Sequence, residues 1–339
     1  MTKTAPTDIH TGTIAVFGAG SWGTAIAIHL AKLHPHVILW GRDADQIANM
    51  EATRLNQRYL PSAPFPSNLQ LTADLSCAVA QASMAFIVVP SHAFADFLQA
   101  IKPFAPAHLL WVWATKGIQP SGQFLHEIFE QIMGSSVPKG LVAGPSFAGE
   151  IAAGLPTAIT VAANQPACAL AIAEALSGPR CRVYITDDLI GAQLGGAVKN
   201  VLAIATGCSD GLGFGANARS ALITRGLAEL MRLGLVLGAK RDTLMGLAGL
   251  GDLVLTCTDD KSRNRRFGLA LGRGETVQNA INNIGQVVEG ATAAAYVYRL
   301  AQRHGVEMPI TEQVYRLLQN EYPVAETVEK LFSRELGRE

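Results

Sequence analysis

A β-branched run, Thr13-Ile-Ala-Val-Phe17, leads straight into Gly18-Ala-Gly20-Ser-Trp22-Gly23 and a helical pattern from Ser21 to Leu33. A G-x-G-x-x-G carries weight only in this setting, between a strand and a helix. Gly18 permits the tight turn, Gly20 lets backbone approach a pyrophosphate, and Gly23 allows close helix–strand packing. The N–H groups and dipole at the start of the helix suit phosphate oxygens. A glycine-rich structural turn is the plain alternative.

The next segments of the chain agree with a dinucleotide-binding unit. His36–Trp40 reads as a second strand and Asp43–Glu51 as a helix. The stretch Arg58–Pro66 holds three prolines and reads as a loop. Met84–Pro90, Leu109–Ala114, Leu141–Ala143, Ala158–Val161 and Arg182–Ile185 read as further strands. Strands alternating with helical patterns predict a doubly wound, Rossmann-type α/β sheet. After Asp187 only long Ala/Leu/Gly-rich helical patterns remain. The predicted division is a dinucleotide-binding domain over 1–190 and an all-helical domain over 191–339.

Composition narrows the partners. The 27 basic and 27 acidic residues cancel, which gives no global pull toward nucleic acid or an anionic membrane. An anionic ligand must then meet a local cluster. The five cysteines are widely spaced with no C-x-x-C, as expected of reduced cytoplasmic thiols and not of a disulfide framework or metal site. Residues 1–11 are polar and lack the apolar core of a signal peptide.

Arg42 is the first polar side chain after the second strand. A guanidinium there suits a 2′-phosphate, so NADP(H) is preferred, with NAD(H) a possible alternative. Asp43 beside it weakens that preference or simply caps the next helix. Lys116 and the run Gly144-Pro-Ser146 each follow a strand, at the end where open α/β sheets bind ligands. Lys199 lies in the apolar, small-residue stretch Leu189–Thr206. Taking its ammonium out of water costs several kcal/mol unless it is paired or its pKa falls; otherwise it snorkels to the surface. That stretch is broken by Gln193, Lys199 and Asn200, so no membrane span is predicted. Lys261-Ser-Arg-Asn-Arg-Arg266 begins a helical pattern, and Ser262, Arg263 and Asn264 form a candidate phosphate cradle. A solvated charged face is the alternative. Asp252, in a glycine-rich loop, could hold a hydroxyl or orient a lysine.

Taken together, Gly18–Ala25, Val89–His92, Trp113–Gly117, Gly144–Ala148, Gly195–Asn200, Gly213–Arg219, Gly249–Asp252, Ser262–Gly268 and Gly285–Gly290 resemble the bacterial-type NAD(P)-dependent glycerol-3-phosphate dehydrogenases in order and spacing. The resemblance runs over nearly the whole chain. It implies a cytoplasmic homodimer that reversibly reduces dihydroxyacetone phosphate to sn-glycerol 3-phosphate and so feeds glycerophospholipid synthesis. It makes Lys199 the acid/base. It sets Lys116, Gly144, Ser146, Asp252, Ser262, Arg263 and Asn264 around the substrate. Gly18, Gly20, Ser21, Trp22, Gly23, Arg42, Lys116, Ala148, Arg263, Val287 and Glu289 would contact the cofactor; no metal is implied. In this reading Lys116 and Lys199 face the carbonyl oxygen, and burial and the second lysine lower the Lys199 pKa, partly countered by Asp252. The small residues Gly195 and Gly196 would leave room for nicotinamide and substrate beside the amine. Two other readings compete: a related β-hydroxyacid-type dehydrogenase, and a redox sensor that binds the dinucleotide without turnover.

Overall fold

A computed structural model of the chain describes residues 12–321 with Pro323, Val324 and Glu326; the polar segment 1–11 lies outside the described residues. The chain divides into two compact units, 1–116 with 125–189 and 117–124 with 190–339.

The first unit is built on eight strands: β1 Thr13–Phe17, β2 Val37–Trp40, β3 Leu69–Thr72, β4 Ala82–Ile87, β5 Leu110–Trp113, β6 Lys139–Ala143, β7 Thr157–Ala163 and β8 Cys181–Thr186. Its helices are α1 Ser21–Ala31, α2 Ala44–Thr53, α3 Leu75–Ala80, α4 Phe94–Ile101, α5 Leu125–Met133, α6 Ala148–Ala153 and α7 Pro166–Leu176. The strands lie in the order β3-β2-β1-β4-β5-β6-β7-β8. The continuous apolar runs of β1, β4 and β5 follow from a sheet covered by helices on both faces. Ile14, Val16, Phe86, Val112, Val142 and Val161 form the middle of its core.

Two features depart from the sequence reading. β3 follows the proline-rich loop as four residues at the sheet edge, too short for a periodic signal. β7 pairs antiparallel to β6, while the remaining neighbours are parallel. The connection carries only α6, which is six residues long and packs against α1, so the chain re-enters the sheet from the end it left.

The second unit is helical among its described residues: α8 Leu189–Gly211, α9 Ala216–Val236, α10 Arg241–Met245, α11 Asp252–Thr258, α12 Arg263–Gly272, α13 Val277–Ile284, α14 Glu289–Arg303 and α15 Pro309–Leu318, with a π-helical turn at Leu247–Gly251. Helix α8 runs through the core beside Leu230, Leu233, Leu253, Phe267 and Val297. It is long and apolar enough to cross a membrane, but 89% of its apolar window is buried inside the protein. Ile118 and Phe124, from the excursion 117–124, belong to the same core.

Helices α8 and α12 touch backbone to backbone. A Cβ added to Gly207 would lie 2.1 Å from the Arg265 carbonyl oxygen, and one added to Gly268 would lie 2.1 Å from that of Ile204. Gly211 and Gly272 extend the contact by one turn on each helix. This small-residue crossing sets the distance between the helix that carries Lys199 and the helix that begins at Arg263.

Candidate active site

In the first unit, β1 ends where the Gly18 N–H donates to the Trp40 carbonyl and the Val88 N–H donates to that of Phe17. Gly18 then turns with φ +125°, a backbone state that disfavours other residues. A Cβ on Gly23 would fall 1.9 Å from the Gly18 oxygen, so this glycine is required for α1 to start against the strand. At Gly20 the added Cβ would meet nothing within 4 Å. Gly20 is the N-cap of α1 and supplies no side-chain cap, which leaves the first turn's N–H groups facing that open side. The indole Nε1 of Trp22 is buried without a partner among the described residues. An open glycine face, an uncapped helix start and an unsatisfied indole donor together fit a phosphate-bearing cofactor.

The loop is braced by residues that carry no motif. The buried Asn56 donates to the Ala19 carbonyl at 3.0 Å and to Thr24 Oγ1 at 2.8 Å, and Gln46 also donates to Ala19. Ser21 donates to the Tyr59 carbonyl. Arg42 is exposed just beyond β2, and Asp43 accepts from the Gln46 N–H as the cap of α2. The carboxylate is thus occupied in capping, whereas the Arg42 guanidinium is exposed and has no partner among the described residues. Lys116 donates to the Gly144 carbonyl at 3.5 Å and lies 6.0 Å from the centre of the Trp22 ring. Ser146 donates to the same carbonyl at 3.0 Å. Lys116, Gly144, Ser146 and Trp22 are therefore neighbours, and Ala148 opens α6 close behind them.

In the second unit, Lys199 is 7% exposed and Asp252 is 1% exposed; Lys199 Nζ donates to Asp252 Oδ1 at 2.6 Å. Thr256 Oγ1 donates to the Asp252 carbonyl. The lysine is an ion-paired ammonium inside the core and does not snorkel out. Leaving either partner alone there would strand a buried charge. Gly195 has a role other than the one expected from the sequence. A Cβ on it would lie 2.2 Å from the Ala248 carbonyl oxygen. The space beside it is filled by the π-helical turn that leads into Asp252, not left for a ligand.

One residue further on, Asn200 donates to Glu289 Oε2 at 3.2 Å and accepts from the Asn264 amide at 2.9 Å; Asn264 Oδ1 in turn accepts from the Gly290 N–H at 2.8 Å. This amide chain ties α8, α12 and the start of α14 together. Ser262 caps α12 by accepting from the Arg265 N–H. Arg263 Nη1 donates to Gln286 Oε1 at 3.4 Å, and Val287 is exposed next to it. The structure thus brings together Lys199 with Asp252, and Asn264 with Glu289. Asn200 and Thr256 were missed in the sequence because neutral amides and hydroxyls on apolar helices carry no local signal. Among the described residues no three His, Cys, Asp or Glu side chains gather as a metal site.

Comparison with known proteins fits both halves. Residues 13–169 match the NAD-dependent glycerol-3-phosphate dehydrogenase N-terminus, and residues 188–329 match the C-terminus of that family. A glycerol-3-phosphate dehydrogenase [NAD(P)+] of Thioalkalivibrio sulfidiphilus is 56% identical over 323 residues, covering 95% of this chain and 97% of the relative. One from Pseudoalteromonas translucida is 56% identical over 327 residues, covering 96% and 98%. The crystal structure of glycerol-3-phosphate dehydrogenase from Coxiella burnetii superposes with a TM-score of 0.93 at 48% identity, covering 96% of this chain and all of the other. A ketopantoate reductase from Ralstonia eutropha, at 16% identity and a TM-score of 0.59, shares the fold alone. The chain belongs to the NAD-dependent glycerol-3-phosphate dehydrogenase family.

Proposed function

We propose that this chain catalyses the reversible NAD(P)H-dependent reduction of dihydroxyacetone phosphate to sn-glycerol 3-phosphate, the step that supplies the glycerophospholipid backbone. The observation that carries the reading is the buried ammonium of Lys199, held by Asp252 in a chain of this family. Gly18, Gly20, Ser21, Trp22 and Gly23 would hold the pyrophosphate side of the dinucleotide, with Lys116 and Ala148 beside them. Arg42, exposed where Asp43 is engaged as a cap, supports NADP(H) as the preferred form. When bound, the cofactor supplies or accepts the hydride. Lys199 Nζ gives its proton to the carbonyl oxygen during reduction and takes it back from the alcohol during oxidation. Its positive charge also stabilises the developing alkoxide. Asp252 keeps the amine placed, and its carboxylate can accept from a substrate hydroxyl as well.

Substrate contacts are assigned to Lys116, Gly144 and Ser146 on the first unit and to Ser262, Arg263 and Asn264 on the second. Arg263 at the start of α12 combines guanidinium and helix dipole, which suits the substrate phosphate. Val287 and Glu289 are assigned to the cofactor. The same reading takes the enzyme to be a cytoplasmic homodimer. The test follows absorbance as NADPH, and then NADH, is oxidised with dihydroxyacetone phosphate. Lys199→Ala should lose roughly 10³-fold in kcat while NADPH still binds. Near-normal turnover in that variant would overturn the assignment. Faster reduction of unphosphorylated ketoacids would favour a β-hydroxyacid substrate instead.

A further inference from the structure

The run Lys261–Arg266 carries four cations, and the fold treats them differently. Lys261 and Arg266 are exposed. Arg263 hydrogen-bonds a neutral amide, Gln286. Arg265 is buried, with Nη1 on Asp260 and Nη2 on Asp210 Oδ2 at 2.5 Å. Arg219 Nη1 meets the same Asp210 oxygen at 3.1 Å. Two guanidiniums and two carboxylates therefore alternate, and their charges cancel. The network joins the last turn of α8, the first turn of α9, the turn before α12 and α12 itself. Its Arg219 is the last residue of the Gly213–Arg219 motif, which has no part in the substrate and cofactor assignments. The main-chain N–H of Arg265 also donates to Ser262, the cap of α12, at 3.2 Å. One residue thus secures the first turn of α12 through both its backbone and its side chain.

We infer that Arg265 is a positioning residue for the phosphate grip of the proposed reaction. Flanked by Asp210 and Asp260, its guanidinium has no net charge to offer a dianion. It locks the turn from which Arg263 reaches the phosphate, and Asp210 is the anchor on which that lock closes. A shift of about 1 Å in such a turn is enough to cost on the order of 10²-fold in rate. The inference rests on the proposed reduction of dihydroxyacetone phosphate.

The test is a double-mutant cycle of Arg265→Gln and Asp210→Asn, read as kcat/KM for dihydroxyacetone phosphate and for unphosphorylated dihydroxyacetone, with the NADPH dissociation constant alongside. Each single variant should lower kcat/KM for the phosphorylated substrate by about 30-fold or more, and the double variant no further than the worse single. Dihydroxyacetone turnover should stay within about twofold, because that substrate does not use the phosphate grip, and NADPH affinity, to which Arg263 adds one contact among many, should fall less than kcat/KM for the phosphorylated substrate. If Arg265→Gln does not fold, Arg265→Lys, which retains one ion pair, takes its place in the cycle. Loss with Arg265→Gln but not Asp210→Asn would make Arg265 a direct phosphate ligand and overturn the proposal. So would an equal fall for both substrates and NADPH, the mark of a merely structural residue, or no change at all. Absence of wild-type turnover with dihydroxyacetone phosphate would overturn the proposed function and this inference with it. Normal wild-type turnover with any of the other outcomes overturns this inference alone.

Discussion

Three buried charged side chains show how partners decide what burial means. Lys139 is fully buried on β6, yet its Nζ pairs with Glu130 at 3.0 Å and donates to the Ser135 carbonyl at 2.8 Å. Glu130 is about a third exposed, so that ammonium ends near water and reads as structural. Lys199 instead meets Asp252, itself buried. Glu229 on α9 is the third. Its carboxylate accepts from the Ile310 and Thr311 N–H groups and from Thr311 Oγ1, and so caps α15 from a neighbouring helix. Burial raises its pKa, outweighing those hydrogen bonds and Arg232. The folded state then holds a proton on Glu229 at pH values where the unfolded chain has released it. This group's contribution to stability therefore falls as pH rises above the ordinary carboxylate range and is recovered on acidification. Wild type should gain stability relative to Glu229→Gln between pH 7 and pH 5 in parallel thermal melts. A wild type that loses stability relative to Glu229→Gln on acidification would contradict the sign. Glu229→Ala, which strands buried N–H donors, should cost about 3 kcal/mol at neutral pH by denaturant titration.

At the scale of elements, the α8–α12 crossing relates the amine to the phosphate grip. Gly207 and Gly268 each place a would-be Cβ 2.1 Å from a carbonyl oxygen on the facing helix. Backbone cannot yield as a flexible side chain can, so Gly268→Ala must push the helices apart. We expect it to destabilise by about 3 kcal/mol and to raise the KM for dihydroxyacetone phosphate. Gly149→Ala in α6 is the matched control, since its Cβ meets nothing within 4 Å. It should leave stability unchanged or raise it by about 0.5–1 kcal/mol. Equal losses in the two variants, measured by urea unfolding, would refute the crossing argument. The same rule gives Gly195 its place: small residues on α8 admit neighbouring backbone, first the turn leading into Asp252 and then α12. From the sequence these glycines look alike, because what each one faces is fixed only by the packing.

For the whole molecule, each unit has its own core, and the chain crosses between them more than once. The excursion 117–124 gives Ile118 and Phe124 to the core of the helical unit, where Ile118 is 1% exposed. Arg303 donates to the Ser121 carbonyl at 2.7 Å and fastens the loop there. Ile118→Ala should therefore cost about 2–4 kcal/mol and loosen the helical unit first. Hydrogen exchange should speed up in α8 and α14 more than in β1 and β4; the reverse order would place Ile118 in the wrong core.

The sequence by itself determined the parts whose chemistry is local. The strand–glycine–helix start is contiguous, and its φ and packing demands fall on neighbouring residues, so the dinucleotide fold was legible from Gly18, Gly20 and Gly23 set between β1 and α1 and followed by alternating strands and helices. Seven of the eight strands announced themselves as apolar runs; β3 was too short to do so. Lys199 and Arg263 stood out as charges in telling places. Asp252 stood out too, as a carboxylate able to orient a lysine, but which groups pair with which was not legible. Asp252 lies 53 residues from Lys199, Glu289 lies 89 from Asn200, and Asp210 lies 55 from Arg265. Those pairings depend on how closely helices cross, and helix crossings are set by steric contacts between backbones far apart in the chain. The tertiary structure alone decided which charge each buried side chain meets, the antiparallel turn of β7, and which core receives residues 117–124.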